Sequence, residues 1–229
     1  MSGPGAVSTG LKKAGGLSFI AVSVLQILSI PLSLATAAVL LPSSTLAGIQ
    51  ALQGLSITYG TWVGTLIALE LFAVVGFGSL YFVLRGTRQL GAVAGVLLIM
   101  FSIGVGLAAD FPLRYVQINL AAEYAAATSD LQRSGIAAAY QLALDTSNIA
   151  SLMESVIAGL GFLLIGYTMF EDRFLFGRPT SYLALLGGVL FIAALPASAS
   201  PAIFGVLFIV SSVVLAAFDA LVGRRLYRL

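Results

Sequence analysis

Six stretches of the chain run for about 15 to 26 residues with at most one charge apiece, and that pattern constrains the fold more than any other feature. A helix needs roughly 20 apolar residues to cross about 30 Å of hydrocarbon. In lipid every backbone polar group must be satisfied within its own segment, so such stretches are read as helices. The spans are expected at about 16–41, 60–84, 90–109, 148–170, 181–195 and 202–222. Pro31 predicts a kink in the first, and Pro42-Ser43-Ser44 stops it. A short polar-leaning loop is expected to lead from there to Tyr59. The first span is too long for the apolar region of a cleaved signal peptide, despite Lys12-Lys13 before it.

Composition agrees. Only 9% of residues are charged and mean hydropathy is +1.06. This argues against a water-soluble domain, a disordered chain and a nucleic-acid binder. The chain has no Cys and no His. Disulfides, thiolate chemistry, His-ligated metals and Ser-His dyads are therefore excluded. The only lysines are Lys12 and Lys13, too early for a membrane Ser/Lys dyad, and no phosphate loop or dinucleotide fingerprint occurs. The expectation is a chain without enzyme activity, cofactor or metal.

Charge distribution orients the spans. One side collects Lys12, Lys13, Arg85, Arg88, Arg173, Arg178, Arg224, Arg225 and Arg228. The other has only Arg114 and Arg133 against Asp110, Glu123, Asp130 and Asp145. Both termini are thus expected in the cytoplasm of a multi-pass cell-membrane protein. The Gly/Ser-rich start, Met1 to Gly10, is expected to be mobile in an isolated protein. The Arg-rich tail Gly223 to Leu229 sets topology and is placed to touch anionic lipid.

Between the third and fourth spans, residues 110–147 show apolar positions at helical spacing among charges. Ser129 with Gln132 has the form of a capping box, and Asp145-Thr146-Ser147 that of an N-cap for the fourth span. The segment is expected to be a helical cap on the outer face.

Two membrane carboxyls carry the strongest functional signal. A charge near the bilayer centre costs about 2.5–3.5 kcal/mol on insertion scales, so such residues face protein or water and often mark pathways. At about 1.5 Å per residue from the outer ends, Glu70 lies about 15 Å deep and Glu154 about 9 Å. Glu154 shares a small, polar face with Ser147, Ser151, Ala158 and Gly161; Glu70 sits among Leu66, Ile67, Val74 and Phe77. Two roles are open to them. They form a site for a proton, cation or ligand, or they bond structurally to a carbonyl, Gln26, Ser102 or Ser151. Asp219 is expected at the interface or paired with an arginine. Gly60/Gly64 and Gly91/Gly95/Ser102/Gly106 are expected to serve close helix packing. Tyr59, Trp62 and Tyr115 are expected as one aromatic belt, with Tyr81, Phe82, Tyr167, Tyr182 and Tyr227 as the other. The hairpins containing Glu70 and Glu154 also resemble one another, each with a Gly-x-Gly and an aromatic end, as parallel repeats would.

Six spans, a long outer segment and Gly-Phe-Leu-Leu-Ile-Gly-Tyr at 161–167 resemble a broad group of bacterial and archaeal membrane proteins forming a domain of unknown function. The resemblance implies an all-α, six-helix bundle and no particular activity. Two functions are carried forward. The first is a non-catalytic accessory or scaffold subunit, with lipid and protein partners in a membrane assembly. The second is a small proton- or cation-coupled transporter or ligand-binding protein using Glu70 and Glu154.

Overall fold

The computed structural model describes residues 8–84, 90–171, 176–197 and 201–229, and every element among them is helical. Of the charges that orient the chain, Arg85, Arg88 and Arg173 lie outside the described residues, as do Met1–Val7. Ser8 is ordered as the N-cap of α1 (Thr9–Ala35), its hydroxyl accepting from Leu11 N at 3.3 Å. Pro31 lies inside that helix; Thr36 closes it, and the one-turn α2 (Ala37–Leu40) leads to the break at Pro42. Then come α3 (Thr45–Leu84), α4 (Leu90–Val105), a π turn (Gly106–Asp110), α5 (Phe111–Ala126), α6 (Asp130–Glu171), α7 (Gly177–Ala197) and α8 (Pro201–Arg228).

Among the described residues, five helical stretches are long and apolar enough to cross a membrane: α1, α3, α4 with its continuation, α6 and α8. The helices make a closed ring. α1 lies between α3 and α8; α8 also touches α7, α7 touches α6, α6 touches α4, and α4 returns to α3. Glycines set the approach at several of these contacts. A Cβ built on Gly16 of α1 would lie 2.7 Å from the Gly223 carbonyl oxygen of α8. One on Gly161 of α6 would lie 2.8 Å from the Gly95 carbonyl oxygen of α4, and one on Gly188 of α7 would lie 2.7 Å from that of Gly159 on α6. Without a large hydrophobic drive between helices in lipid, contacts this close supply the association. Gly60 and Gly64 differ from the expectation: their nearest neighbours would be 3.8 and 3.9 Å away, ordinary contact distances, so they bring no backbones together.

Phenylalanines fill the ring. Phe162 meets Phe77 and Phe191 at 6.0 Å between centroids and Phe218 at 5.5 Å, and Phe77 meets Phe19 at 4.9 Å. We call the end where α1 begins and α8 finishes the terminal end, and the opposite one the distal end.

Two helices overshoot the hydrocarbon layer of a bilayer. At about 1.5 Å per residue, α3 is about 60 Å long and α6 about 63 Å, twice the hydrocarbon thickness. The expected loop before Tyr59 is instead the first part of α3, started by Ser44, whose hydroxyl accepts from Ala47 N. Its residues Ile49, Leu52 and Tyr59 recur at helical spacing and are buried against Ala121 of α5 and Tyr140 and Leu144 of α6. Residues 110–147 are likewise continuous with the helices beneath them. The chain turns only at 127–129, where Ser129 and Gln132 exchange the two bonds of a capping box, at 3.3 and 3.4 Å. Asp145-Thr146-Ser147 starts no helix, contrary to expectation. It lies inside α6, where Thr146 and Ser147 donate to the carbonyls of Leu142 and Leu144. Polar side chains that bond back to their own helix need no break.

Candidate functional site

Glu70 projects from α3 and Glu154 from α6, and the structure brings them together: the two carboxyl groups lie close enough to interact directly. Each residue is half-buried. Two ionised carboxylates repel at close range and can only accept hydrogen bonds, so a bond between these two would need at least one proton. The pair can keep that proton, take up a second, or exchange one for a cation.

Gly106 makes room for this contact. A Cβ there would lie 2.9 Å from Glu154 Oε2 and 3.1 Å from its Cδ. Gly106 is also the first residue of the π turn, a wide turn often found at functional positions. One extra residue rotates everything beyond it by about 100° around the helix axis. It also opens the hydrogen-bond ladder just before Pro112, which has no N–H to give.

Beyond the π turn lies a polar chain that the sequence reading does not anticipate. Asp110 and Arg114 are 3% and 5% exposed, and Arg114 Nε donates to Asp110 Oδ2 at 3.0 Å. Arg114 Nη1 donates to the Tyr59 hydroxyl at 3.3 Å, which donates to Gln117 Oε1 at 3.3 Å. Gln117 Nε2 donates to the Ser147 hydroxyl at 3.0 Å. The guanidinium also stands over the Trp62 ring, 5.2 Å from its centroid. Arg114 and Asp110 both fall within electrostatic range of Glu154. The Asp-x-x-x-Arg spacing of one helical face was the available signal. Tyr59 and Trp62, expected in a lipid-facing belt, are buried in this network instead, because the helices continue past them. Tyr115, Tyr167, Tyr182 and Tyr227 are exposed.

Toward the terminal end, Asp219 on α8 is buried with Oδ1 lacking a hydrogen-bond partner, within electrostatic range of Glu70. This replaces the interfacial, arginine-paired position expected for it. Gln26 of α1 has a buried Oε1 without a partner. Gly76 packs on Phe19; Gln26 lies about 10 Å beyond Phe19 and Glu70 about 9 Å beyond Gly76 along their helices, so the two share a depth. Ser102 is not a partner of either glutamate, since its hydroxyl donates to the Ile99 carbonyl of its own helix. Ser151 accepts from the Ser155 hydroxyl through its carbonyl.

Among the described residues, one cleft lies around Pro42, Thr45, Gln141 and Asn148 and another between α7 and α8; neither is lined by Glu70 or Glu154. Among the described residues no group of three acidic side chains is arranged to hold a metal. Comparison with protein-family models, curated proteins and solved structures finds no match, which neither supports nor contradicts the resemblance to six-helix proteins of unknown function.

Proposed function

We propose that this chain is a six-span, multi-pass cell-membrane protein with both termini in the cytoplasm, and that it is a small proton- or cation-coupled transporter. The observation that carries the reading is the close pair of carboxyls, Glu70 on α3 and Glu154 on α6, beside a π turn. Counted from the terminal ends of their helices, the two carboxyls lie about 21 and 26 Å into a hydrocarbon layer of about 30 Å. The phenylalanine plug separates them from the terminal end, and the Asp110–Arg114 pair covers them at the distal end. The residues that bind and release the ion are Glu70 and Glu154; Asp219 supplies further polar atoms on the terminal side and Gln26 at the depth of Glu70, and Arg114 biases Glu154 through its charge. The segment 110–147 is the outer helical cap of this arrangement.

The test is flux. The full chain is reconstituted in proteoliposomes with an internal pH dye, and Na+, K+ or proton gradients are imposed. Wild type moves protons in response to one of them, and Glu70→Gln and Glu154→Gln abolish the response while leaving helix content unchanged. Equal flux in wild type and in both variants overturns the reading.

A specific observation also keeps the accessory-subunit reading. Leu131 and Leu142 of α6 are 85% and 69% exposed, about 60 and 44 Å from the terminal end of that helix and so beyond the bilayer. Large apolar side chains exposed to water mark contact surfaces when they cluster. Co-purification of a partner from native membranes in mild detergent, lost on Leu131→Asp and Leu142→Asp, supports that reading; a lone monomer counts against it.

A further inference from the structure

The cleft between α7 and α8 is remote from the glutamates and has its own chemistry. It encloses about 340 Å³ at the terminal end of the molecule, lined by Thr180 of α7 and by Leu221, Arg224, Arg225 and Arg228 of α8. That volume lies at the lower end of small-ligand sites, which run from about 300 Å³. We propose that it binds a phosphate-bearing anion.

Three observations converge on that chemistry. Arg224 and Arg228 are one turn apart on α8, both exposed and both lining the cleft, so two arginine side chains border one space. Guanidinium matches phosphate oxygens in bidentate geometry and is less strongly hydrated than an ammonium. On the facing wall α7 begins at Gly177, whose φ of 67° is the left-handed turn that brings the chain into the helix. The first amide N–H groups of a helix have no partner within it, and Thr180 in that first turn is buried against the cleft. Finally, no carboxylate lines the cleft among the described residues. Leu221, 37% exposed at the inner edge, gives the site an apolar flank facing the bilayer. Basic pockets of this kind between spanning helices take phospholipid headgroups, and a free phosphate ester offers the same oxygens.

Native mass spectrometry of the full chain released from detergent tests the assignment. Wild type is expected to retain phosphatidylglycerol over phosphatidylcholine. Removing two surface cations in Arg224→Gln/Arg228→Gln should weaken retention by about thirtyfold. Arg178→Gln, an exposed arginine beside the cleft but not lining it, should leave retention unchanged. Arg224→Lys/Arg228→Lys keeps the charge but not the forks, and an intermediate loss from it supports the site even if the glutamine pair does not fold. Displacement of the lipid by millimolar inorganic phosphate assigns a free anion as an occupant, and resistance to it assigns the lipid headgroup. Equal retention of the two lipids, or equal loss in Arg178→Gln, overturns the proposal.

Discussion

Gly106 has no side chain, and the Glu154 carboxyl occupies the space a Cβ would need. Gly106→Val therefore drives that carboxyl away from Glu70. The expected cost is about 1–3 kcal/mol, as for other overpacked sites, with loss of flux in the vesicle assay and unchanged helix content. Thermal unfolding in detergent reads the first, circular dichroism the last. Arg114 poses the opposite problem, since its partner is also buried. Arg114→Met leaves Asp110 as an unpaired buried charge, and breaking such a pair costs about 3–5 kcal/mol. Adding Asp110→Asn removes the stranded charge and should restore most of the melting temperature. If the double variant melts no higher than the single one, Asp110 is not the partner that matters for stability.

At the scale of helices, glycine positions separate into two kinds that look alike in sequence. A Cβ on Gly161 would meet Ile99 Cγ1 at 2.7 Å and the Gly95 carbonyl oxygen at 2.8 Å, whereas one on Gly60 would meet only Ile118 Cδ1 at 3.8 Å. Gly161→Ala should destabilise the α4–α6 contact by about 1–3 kcal/mol. Gly60→Ala should stabilise α3 by about 0.5–1 kcal/mol through helix propensity alone. Melting temperatures of the two variants, moving in opposite directions, check both. The length of uncharged apolar runs pointed to the long apolar helices, because a helix apolar enough to cross a membrane shows in sequence as such a run. It did not reveal that α3 begins at Thr45, because polar residues such as Gln53 make a helix look like a loop, or that α6 runs unbroken past Gln141 and Asp145-Thr146-Ser147, because that triplet has the form of an N-cap. The roles of the two glutamines are tertiary: Gln53 Nε2 donates to the Ala121 carbonyl at 3.1 Å, and Gln141 Oε1 accepts from the Thr45 hydroxyl. The π turn left no trace in the sequence, since Gly106 reads as one more small residue in a packing stripe.

For the whole molecule, the two glutamates were legible as unusual residues, but their meeting was not. Depth counted from guessed span ends put them about 6 Å apart along the membrane normal. In the structure α6 packs on α4 and α4 on α3, and the two carboxyls lie close together across that arrangement. The buried Asp110–Arg114 pair was hidden for a related reason: a charge just past a span reads as solvated unless the helix is known to continue. Topology is checked by single cysteines at Ala126 and Leu229. Impermeant maleimide should label the first from outside cells and the second only after permeabilisation, and labelling of both from one side sinks the assigned orientation. The central claim is that Glu70 and Glu154 share a proton within the bilayer. Infrared difference spectroscopy between wild type and Glu70→Gln/Glu154→Gln in lipid reads that proton through the carbonyl stretch of a protonated carboxyl. The account predicts such a band in wild type, shifted by hydrogen bonding, sensitive to exchange into D2O and absent from the double variant. Identical spectra in the protonated-carboxyl region would contradict it.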